Sequence, residues 1–260
     1  MIPYIGPGIW DPASPPAHPS TTRELVAKLT EKVTVSHKIR NNLTAAAQYI
    51  ENFKHRKTLN TLMTDIFSGK AVPGELHKQL AAQPDLPLIV DSWYDDAMQQ
   101  ALNNRADWGQ VQGISQAEHH GEWVRYYTAQ GELTDAGTAQ TWKTLLYRPL
   151  GSVSPARNYI VSDSDYVEVL TEIDIQTPIP EVVQTLRKGR HFLFLGCRFG
   201  NQLERIFARQ IIKRSSDRHW AVIEGELTKN EKRFLQEMNI TRLDISASQL
   251  FELLRNSPLA

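Results

Sequence analysis

Short apolar runs alternate along the chain with segments in which apolar residues recur every three or four positions. The apolar runs predict buried strands, and they lie at 1–5, 86–90, 111–114, 122–128, 144–148, 191–195, 220–223 and 240–245. Helical periodicity predicts one helix that ends near 102, one that contains 165–170, and others at 180–186, 202–214 and 248–255. Strands that alternate with helices predict an α/β fold, in which a parallel sheet carries helices on both faces.

The longest purely helical segment lies between the first two predicted strands. From Thr22 to Leu80 the apolar residues keep helical spacing, which predicts several amphipathic helices. Thr21 and Glu24 stand at the spacing of a capping box, which marks a helix start. Because this segment is too long for a simple crossover between strands, we interpret 22–83 as a helical lobe inserted into a single domain that spans 1–260.

Composition excludes several classes of protein. Lys and Arg together number 29, and so do Asp and Glu, so no global positive field attracts nucleic acid or an anionic membrane. The single cysteine, Cys197, excludes an intramolecular disulfide framework and suggests a reducing compartment. No run approaches the about 18 apolar residues that a membrane span needs, and the N-terminus lacks the features of a signal peptide. We therefore expect a cytoplasmic protein with no membrane partner.

Glycines and polar residues follow the predicted strands. Such punctuation at strand ends is typical of α/β folds that bind nucleotides. The segments concerned are Gly6-Pro7-Gly8, Trp93-Tyr94-Asp95, Leu150-Gly151-Ser152 with the later Asp165-Tyr166, and Leu195-Gly196.

Two longer segments around these residues resemble one family. YRPLGSVSPARNYIVSDSDYVEVL (147–170) and HFLFLGCRFGNQLERIFARQI (191–211) resemble the SIR2-like family, bacterial relatives of the sirtuins that often act as NAD-consuming modules in phage defence. IPYIGPGIW (2–10) and PLIVDSWYDDAMQQAL (87–102) are similar to its two earlier motifs, in the right order. The resemblance implies a Rossmann-like domain with a helical lobe, and a site for NAD or ADP-ribose between them at the strand ends.

The resemblance also implies a role for the first glycine turn. In the family, the turn glycines let the backbone approach a pyrophosphate, and Gly6 and Gly8 keep that possibility. Pro7 removes one backbone donor, and Trp10 stands where the family has a small serine. The alternative interpretation is a tight turn that binds no ligand.

Two residues that the family uses in catalysis are replaced. The family's asparagine matches Trp93, whose indole cannot offer the paired donor and acceptor of a carboxamide. Its general base, a histidine, matches Leu150, which cannot accept a proton at any pH. The resemblance therefore implies that catalysis by the family mechanism is lost, and we assign no catalytic residue.

Other polar residues are candidate substitutes for the lost catalytic groups. His119-His120-Gly121 contains a histidine–glycine pair, which we interpret as a solvated loop rather than a base. Asp91, Asp95 and Asp96 cluster after the second strand, where α/β proteins place functional groups. Capping of the next helix is the competing use for at least one of them.

The end of the strand at 191–195 also carries candidates. Gly196 belongs to the family motif, and Cys197 replaces an aromatic residue there. We favour a buried small hydrophobic role for Cys197 over a nucleophile. Arg198 is suited to a phosphate or carboxylate, or equally to a surface ion pair. The histidines, cysteine and carboxylates show no metal-ligand spacing, so we predict no metal site.

Three hypotheses remain open. The favoured one is a catalytically degenerate protein that binds a nucleotide, another flat molecule or a protein partner. The others are an NAD hydrolase that uses displaced residues, with Asp95 and His120 as candidates, and an interaction subunit recruited through the helical lobe. Nucleic acid is not an expected partner. The candidate ligand-binding residues are Gly6, Pro7, Gly8, Trp10, Asp91, Trp93, Tyr94, Asp95, Leu150, Gly196 and Arg198.

Overall fold

The predicted strands assemble into one large sheet. A computed structural model describes residues 1–119, 121–175 and 179–256, and within these residues nine strands form a sheet in the order β11-β10-β9-β1-β2-β6-β3-β4-β5. A separate antiparallel pair consists of β7 and β8. The strands are β1 (Ile2–Ile5), β2 (Leu88–Asp91), β3 (Trp108–Gly113), β4 (Val124–Thr128), β5 (Leu133–Thr134), β6 (Thr144–Arg148), β7 (Gly151–Ser152), β8 (Asn158–Tyr159), β9 (Phe192–Leu195), β10 (His219–Val222) and β11 (Ile240–Leu243).

The sheet is parallel except at one edge. Every neighbouring pair from β11 to β3 is parallel, whereas β4 is antiparallel to β3 and to β5. The predicted α/β fold with a mostly parallel sheet is confirmed. The antiparallel edge was not predicted. It arises because β3 passes to β4 without an intervening helix in the described residues, whereas a parallel neighbour needs a crossover connection.

Helices cover the sheet. They are α1 (Thr22–Lys32), α2 (Leu43–Lys54), α3 (Arg56–Phe67), α4 (Glu75–Ala81), α5 (Ala97–Leu102), α6 (Ala136–Ala139), α7 (Asp163–Ile175), α8 (Glu181–Arg187), α9 (Gln202–Ile212), α10 (Lys229–Glu237) and α11 (Ala247–Asn256). Helix α10 was not predicted, although its start carries a capping box between Thr228 and Glu231. The helix is mostly polar, so its apolar periodicity is weak.

Alternate side chains of the strands enter two apolar cores. Tyr4 packs with the core that contains residues of α1, α2 and α3, whereas Ile5 packs with the core that contains residues of α4, α5 and α11. This is the period-two alternation of a sheet buried on both faces. The segment 22–83 thus contributes helices to both cores, and its assignment as an inserted lobe stays a prediction. In the described ranges, every helix is too short or too polar to cross a membrane.

Candidate functional site

The chain reverses its direction of travel across the sheet at β1. It passes from β1 to β2 on one side and later returns to place β9 on the other side. In α/β sheets, such a reversal opens a crevice outside the carboxyl ends of the two strands, and ligands bind there. The turn at 6–10 follows β1, and the turn at 196–198 follows β9.

The two turns are bonded to each other. The backbone N–H of Gly6 donates to the carbonyl oxygen of Leu195 over 2.8 Å, and that of Gly8 donates to the carbonyl oxygen of Gly196 over 3.0 Å. Pro7 between them has no N–H to offer. The amide donors that the resemblance implies for a pyrophosphate are therefore used inside the protein.

The glycines allow a close approach of backbone to backbone. A Cβ atom built on Gly6 would lie 2.7 Å from the carbonyl oxygen of Gly196. A Cβ atom built on Gly196, whose φ is +69°, would lie 2.2 Å from the backbone nitrogen of Ile9. Only glycine fits where a neighbouring main chain occupies the place of the side chain. Here that neighbour belongs to the protein itself.

Cys197 and Arg198 border a small cavity of about 180 Å³ at this crevice. Burial raises the pKa of the Cys197 thiol well above its usual range, so the thiol stays protonated near neutral pH and is a poor nucleophile. Arg198 donates to the carbonyl oxygens of Glu224 and Glu226 over 2.7 Å and 2.8 Å, and it pairs with Glu231 over 3.4 Å. Its guanidinium is thus engaged by the next loop.

The carboxylates after β2 hold their own loop. Asp91 accepts from the backbone N–H of Trp93 over 3.2 Å, and Asp95 accepts from that of Ala97 over 2.7 Å. Asp95 therefore bonds the first residue of α5. Asp96 occupies the N-cap position of α5 but makes no side-chain capping bond, so Asp95 bonds the helix start from the residue before the cap.

Asp96 is used in a similar way. One of its oxygens accepts from the backbone N–H of Ala71 over 2.9 Å, and the other accepts from the side-chain amide of Gln100 over 2.6 Å. Asp96 thus ties the segment before α4 to the start of α5.

Arg148, at the end of β6, is a central residue that no sequence motif indicated. Its side chain is 0% exposed. It donates to the carbonyl oxygens of Trp93 and Asp95, and it lies 3.5 Å from a carboxylate oxygen of Asp91. Burial raises the pKa of Asp91 to about 7, and Arg148 opposes this increase. The only sequence signal was one charge at the end of an apolar strand.

Trp93 is buried beside these groups. Trp93 is 4% exposed, and its indole N–H donates to the carbonyl oxygen of Pro19 over 2.9 Å. The indole lies edge-on to Phe67, with ring centres 6.2 Å apart, and 5.1 Å from the ring of Tyr94. The one polar atom of the side chain is therefore bonded to the protein's own backbone.

The rings around Trp93 continue in both directions. Tyr94 lies 6.0 Å from Tyr159, and its hydroxyl donates to the carbonyl oxygen of Ile160 over 2.8 Å. On the other side, His18 lies 5.7 Å from Phe67. We call this set of side chains the aromatic chain: Trp10, His18, Phe67, Trp93, Tyr94 and Tyr159.

Of the three bulky replacements Trp10, Trp93 and Leu150, only Trp93 and Leu150 lie in the same apolar core. Leu150 follows β6, is buried, and shares one apolar core with Trp93 and Tyr94. Trp10 belongs to the other core. It reaches the rest through His18, whose ring lies 5.4 Å from the indole of Trp10. Because β2 and β6 are neighbours, Trp93 and Leu150 lie on the adjacent strand ends that the family pattern requires.

Asp165, a residue of the family motif, is hydrogen-bonded to other groups of the protein. It accepts from Arg56 over 2.7 Å, from the backbone N–H groups of Val161 and Ser162 over 2.9 Å and 3.0 Å, and from the hydroxyl of Ser115. Its side chain therefore anchors the start of α7 to α3. The other motif candidate, His120, lies outside the described residues.

A comparison with family models decides the affiliation. The model of the SIR2-like domain matches residues 87–243, which is more than half of the chain. The chain belongs to the SIR2-like family. The match includes Trp93, Leu150 and Gly196 but begins after the first glycine turn. No curated protein matches the chain.

The SIR2-like fold raises the question whether these residues fit NAD. The amide groups of Gly6 and Gly8 are already bonded, and the crevice cavity of about 180 Å³ is below the roughly 300–1,000 Å³ of usual ligand pockets. Trp93 and Leu150 are buried in the core. The residues at these positions do not fit the dinucleotide in the manner that the family resemblance implies.

Trp10 separates the crevice from a larger space. A second cavity of about 730 Å³, which we call the open cleft, lies between the segments 11–18 and 69–78 and the helix α11. Trp10 lines both cavities. Within the described residues, no group of three or more His, Cys, Asp or Glu side chains could hold a metal ion.

Proposed function

We propose that this SIR2-like protein acts by binding rather than by NAD turnover. The observation that carries the proposal is the burial of Trp93 at the family's asparagine position, with its indole N–H bonded to Pro19. A ligand that entered there would have to displace both the ring and this hydrogen bond. The aromatic chain thus occupies space that turnover by the family mechanism would need.

The chemistry of the neighbouring position supports the same conclusion. Family catalysis, as the resemblance implies it, begins with a histidine that accepts a proton near the ribose. Leu150 has no atom that accepts a proton, and it is buried among apolar side chains. A general base is worth about 10²–10⁴ in rate, so its loss alone should slow turnover by the family mechanism by about that factor.

The alternative, hydrolysis through displaced residues, would need Asp95. One of its oxygens accepts from the backbone of Ala97 over 2.7 Å, and the other lies 3.9 Å from Nε2 of His18. Both side chains are 7% exposed. Asp95 therefore serves the loop and faces a histidine rather than a water-filled ribose site, which favours binding over hydrolysis.

The open cleft supplies the space for binding. Its volume of about 730 Å³ lies within the range of small-molecule sites. It is bordered by Trp10, at the end of the aromatic chain. A ligand held there would sit beside the former catalytic positions without entering them.

The test uses the six tryptophans as reporters. Protein labelled with ¹⁵N in its indoles is titrated with NAD, and a Trp93→Phe variant assigns the Trp93 signal. We expect the Trp93 indole N–H to exchange slowly with solvent and to keep its chemical shift at saturating NAD. A saturable shift of this signal, or rapid exchange before NAD is added, would show that NAD or water reaches the position and would remove the observation that carries the proposal.

A further inference from the structure

The chain has zero net charge, but its cations are unevenly distributed. Two connecting segments, 188–191 before β9 and 213–218 before β10, together contain five lysines and arginines and one carboxylate. All five cationic residues are exposed. We call this set of side chains the basic surface: Lys188, Arg190, Lys213, Arg214 and Arg218.

The two segments form one continuous surface. The backbone N–H of Ser216 donates to the carbonyl oxygen of Arg190 over 3.1 Å, and the hydroxyl of Ser216 lies 2.7 Å from Nδ1 of His191. The same nitrogen of His191 lies 2.7 Å from the carbonyl oxygen of Arg218. The cations of both segments therefore share one side of the molecule.

The usual role of cations at helix ends is already filled here. Helices α8 and α9 both end at this surface, and the negative end of a helix dipole attracts cations. The buried Arg187 donates to the carbonyl oxygens of Gln210 and Ile211 at the end of α9, over 3.0 Å and 2.9 Å. Arg190 donates to that of Leu186 in α8 over 2.8 Å. The other four cations of the basic surface are additional to these.

The basic surface lacks carboxylate partners. In the part of the chain that the structure describes, none of its five side chains forms an ion pair. Asp217, the one carboxylate of the two segments, accepts from the hydroxyl of Ser216 over 3.3 Å. Like charges that are held together without counter-charges create a positive potential that attracts anions.

The basic surface offers no apolar anchor to a protein partner. Neither segment contains an apolar side chain. The guanidinium carbon of Arg218 lies over the ring of Trp220, 5.4 Å from its centre, and His191 meets the same ring edge-on, with centres 5.2 Å apart. Because the cores of protein interfaces are apolar and depleted in charge, this surface suits a partner that is recognised by charge alone.

The phosphate backbone of a duplex matches such a surface better than an acidic peptide does. Duplex nucleic acid carries one negative charge per about 1.7 Å of its axis, whereas an extended peptide carries at most one per about 3.3 Å. Cations that lie side by side on two short segments therefore meet more negative charge on a duplex. The counterions that they release from it supply the free energy of binding.

We propose that the basic surface binds the phosphate backbone of duplex nucleic acid without regard to base sequence. Because β9 and β10 are parallel, the segments before them lie at the edge of the sheet opposite to the crevice. The inference therefore goes beyond the proposed function and does not rest on it.

The test titrates a fluorescently labelled DNA duplex with the unmodified protein and follows the fluorescence anisotropy. We expect saturable binding at about 50 mM salt, and equal affinity for a second duplex of unrelated sequence. A plot of log affinity against log salt should have a slope between about −3 and −4.5, because each neutralised phosphate contributes about −0.9.

Two double variants locate the binding. Lys188→Gln with Lys213→Gln should weaken binding at least about tenfold at low salt and reduce the magnitude of the slope by about 2. Lys32→Gln with Lys57→Gln, at exposed lysines of the segment 22–83, makes the same change in net charge and is the matched control. It should bind as the unmodified protein does.

Competition on the unmodified protein needs no variant and stays decisive if a variant fails to fold. At equal concentrations of negative charge, unlabelled duplex should displace the labelled duplex at least about tenfold more effectively than poly-L-glutamate does. Three results would overturn the inference: no saturable binding at low salt, equal weakening in the two double variants, or equal displacement by poly-L-glutamate. The last result would assign the surface to an acidic protein segment.

Discussion

The indole N–H of Trp93 donates a hydrogen bond to the carbonyl oxygen of Pro19 over 2.9 Å. This bond joins the loop after β2 to the proline-rich segment that follows the first glycine turn. It forms at the position where the SIR2-like resemblance implies an asparagine. Trp93 therefore connects two segments at a position that the resemblance assigns to the nucleotide site.

Replacement of this indole should reduce stability. Trp93→Phe keeps an aromatic ring but removes the shorter of two hydrogen bonds to the carbonyl oxygen of Pro19, which keeps the contact with Nδ1 of His18 at 3.3 Å. We expect the free energy of unfolding to fall by about 1 kcal/mol for the lost hydrogen bond. Urea denaturation measures it, with Trp123→Phe at a half-buried tryptophan as the control. Equal losses in the two variants would mean that ring size, rather than the hydrogen bond, dominates.

Two glycines with similar backbone angles should respond differently to alanine. Gly196 has a φ of +69° and Gly189 has a φ of +67°. A Cβ atom on Gly196 would lie 2.2 Å from the backbone nitrogen of Ile9, whereas none of the described atoms lies within 4 Å of a Cβ atom on Gly189.

We expect Gly189→Ala to cost about 1 kcal/mol, for the positive φ alone. Gly196→Ala should cost at least about 3 kcal/mol or prevent folding, because main-chain atoms must move. Thermal and urea unfolding of the two purified variants provide the comparison. Similar stabilities would show that the turns after β1 and β9 are not held as tightly as the structure indicates.

This glycine pair also illustrates what the sequence could predict about the site. Glycines at strand ends indicated that something approaches the backbone closely, and Gly196 confirms the close approach. The sequence could not identify what approaches. The family resemblance suggested a pyrophosphate at Gly6 and Gly8, whereas the structure has the two turns bonded to each other. A position requires glycine when no room is left for a Cβ atom. This requirement does not show whether a ligand or the protein's own main chain takes up that room.

The fold was more accessible from sequence than the site. Alternating apolar runs and helical periods predicted the parallel sheet, since both periods follow directly from burial. The role of Arg148 could not be predicted, because its partners are carbonyl groups of Trp93 and Asp95 on another segment. Every residue has a backbone carbonyl group, so the sequence does not show which of them will accept a hydrogen bond from a distant side chain. The antiparallel edge at β4 was missed because connection geometry, rather than residue type, sets strand direction.

The motif carboxylate Asp165 should be required for folding stability. Asp165→Asn removes the charge that faces Arg56, whose side chain is 11% exposed. The cost should be at most the about 3–5 kcal/mol of an uncompensated buried charge, because Arg56 keeps Glu51 as a second partner at 3.2 Å. Asp163→Asn, on an exposed residue in the same helical turn, should change the free energy of unfolding by less than about 1 kcal/mol. Equal effects in a denaturation series would refute the anchoring role.

Histidine 77 should make stability depend on pH. Burial lowers the pKa of His77 to about 4, with Asp95 acting in the opposite direction and His18 in the same direction. The folded state therefore holds this ring neutral. Its contribution to stability is present above the unfolded pKa of about 6.5 and is lost as the pH falls from there through about 4. A shift of this size corresponds to about 3 kcal/mol at full protonation.

The variant His77→Phe isolates that contribution. Phenylalanine keeps a ring against Trp10 but cannot take up a proton. Between pH 7 and pH 4 we expect the variant to gain stability relative to the unmodified protein by up to about 3 kcal/mol. Urea unfolding at a series of pH values measures the difference. Parallel stability curves would show that His77 is hydrated and titrates normally.

The central claim is that this SIR2-like protein binds without NAD turnover, and nicotinamide release from NAD tests it most directly. Purified protein at high concentration is incubated with NAD, and nicotinamide is quantified against a protein-free blank, with Asp95→Asn in parallel. We predict release no faster than the blank for both proteins. Release that rises in proportion to the concentration of the unmodified protein and is lost in Asp95→Asn would contradict the claim.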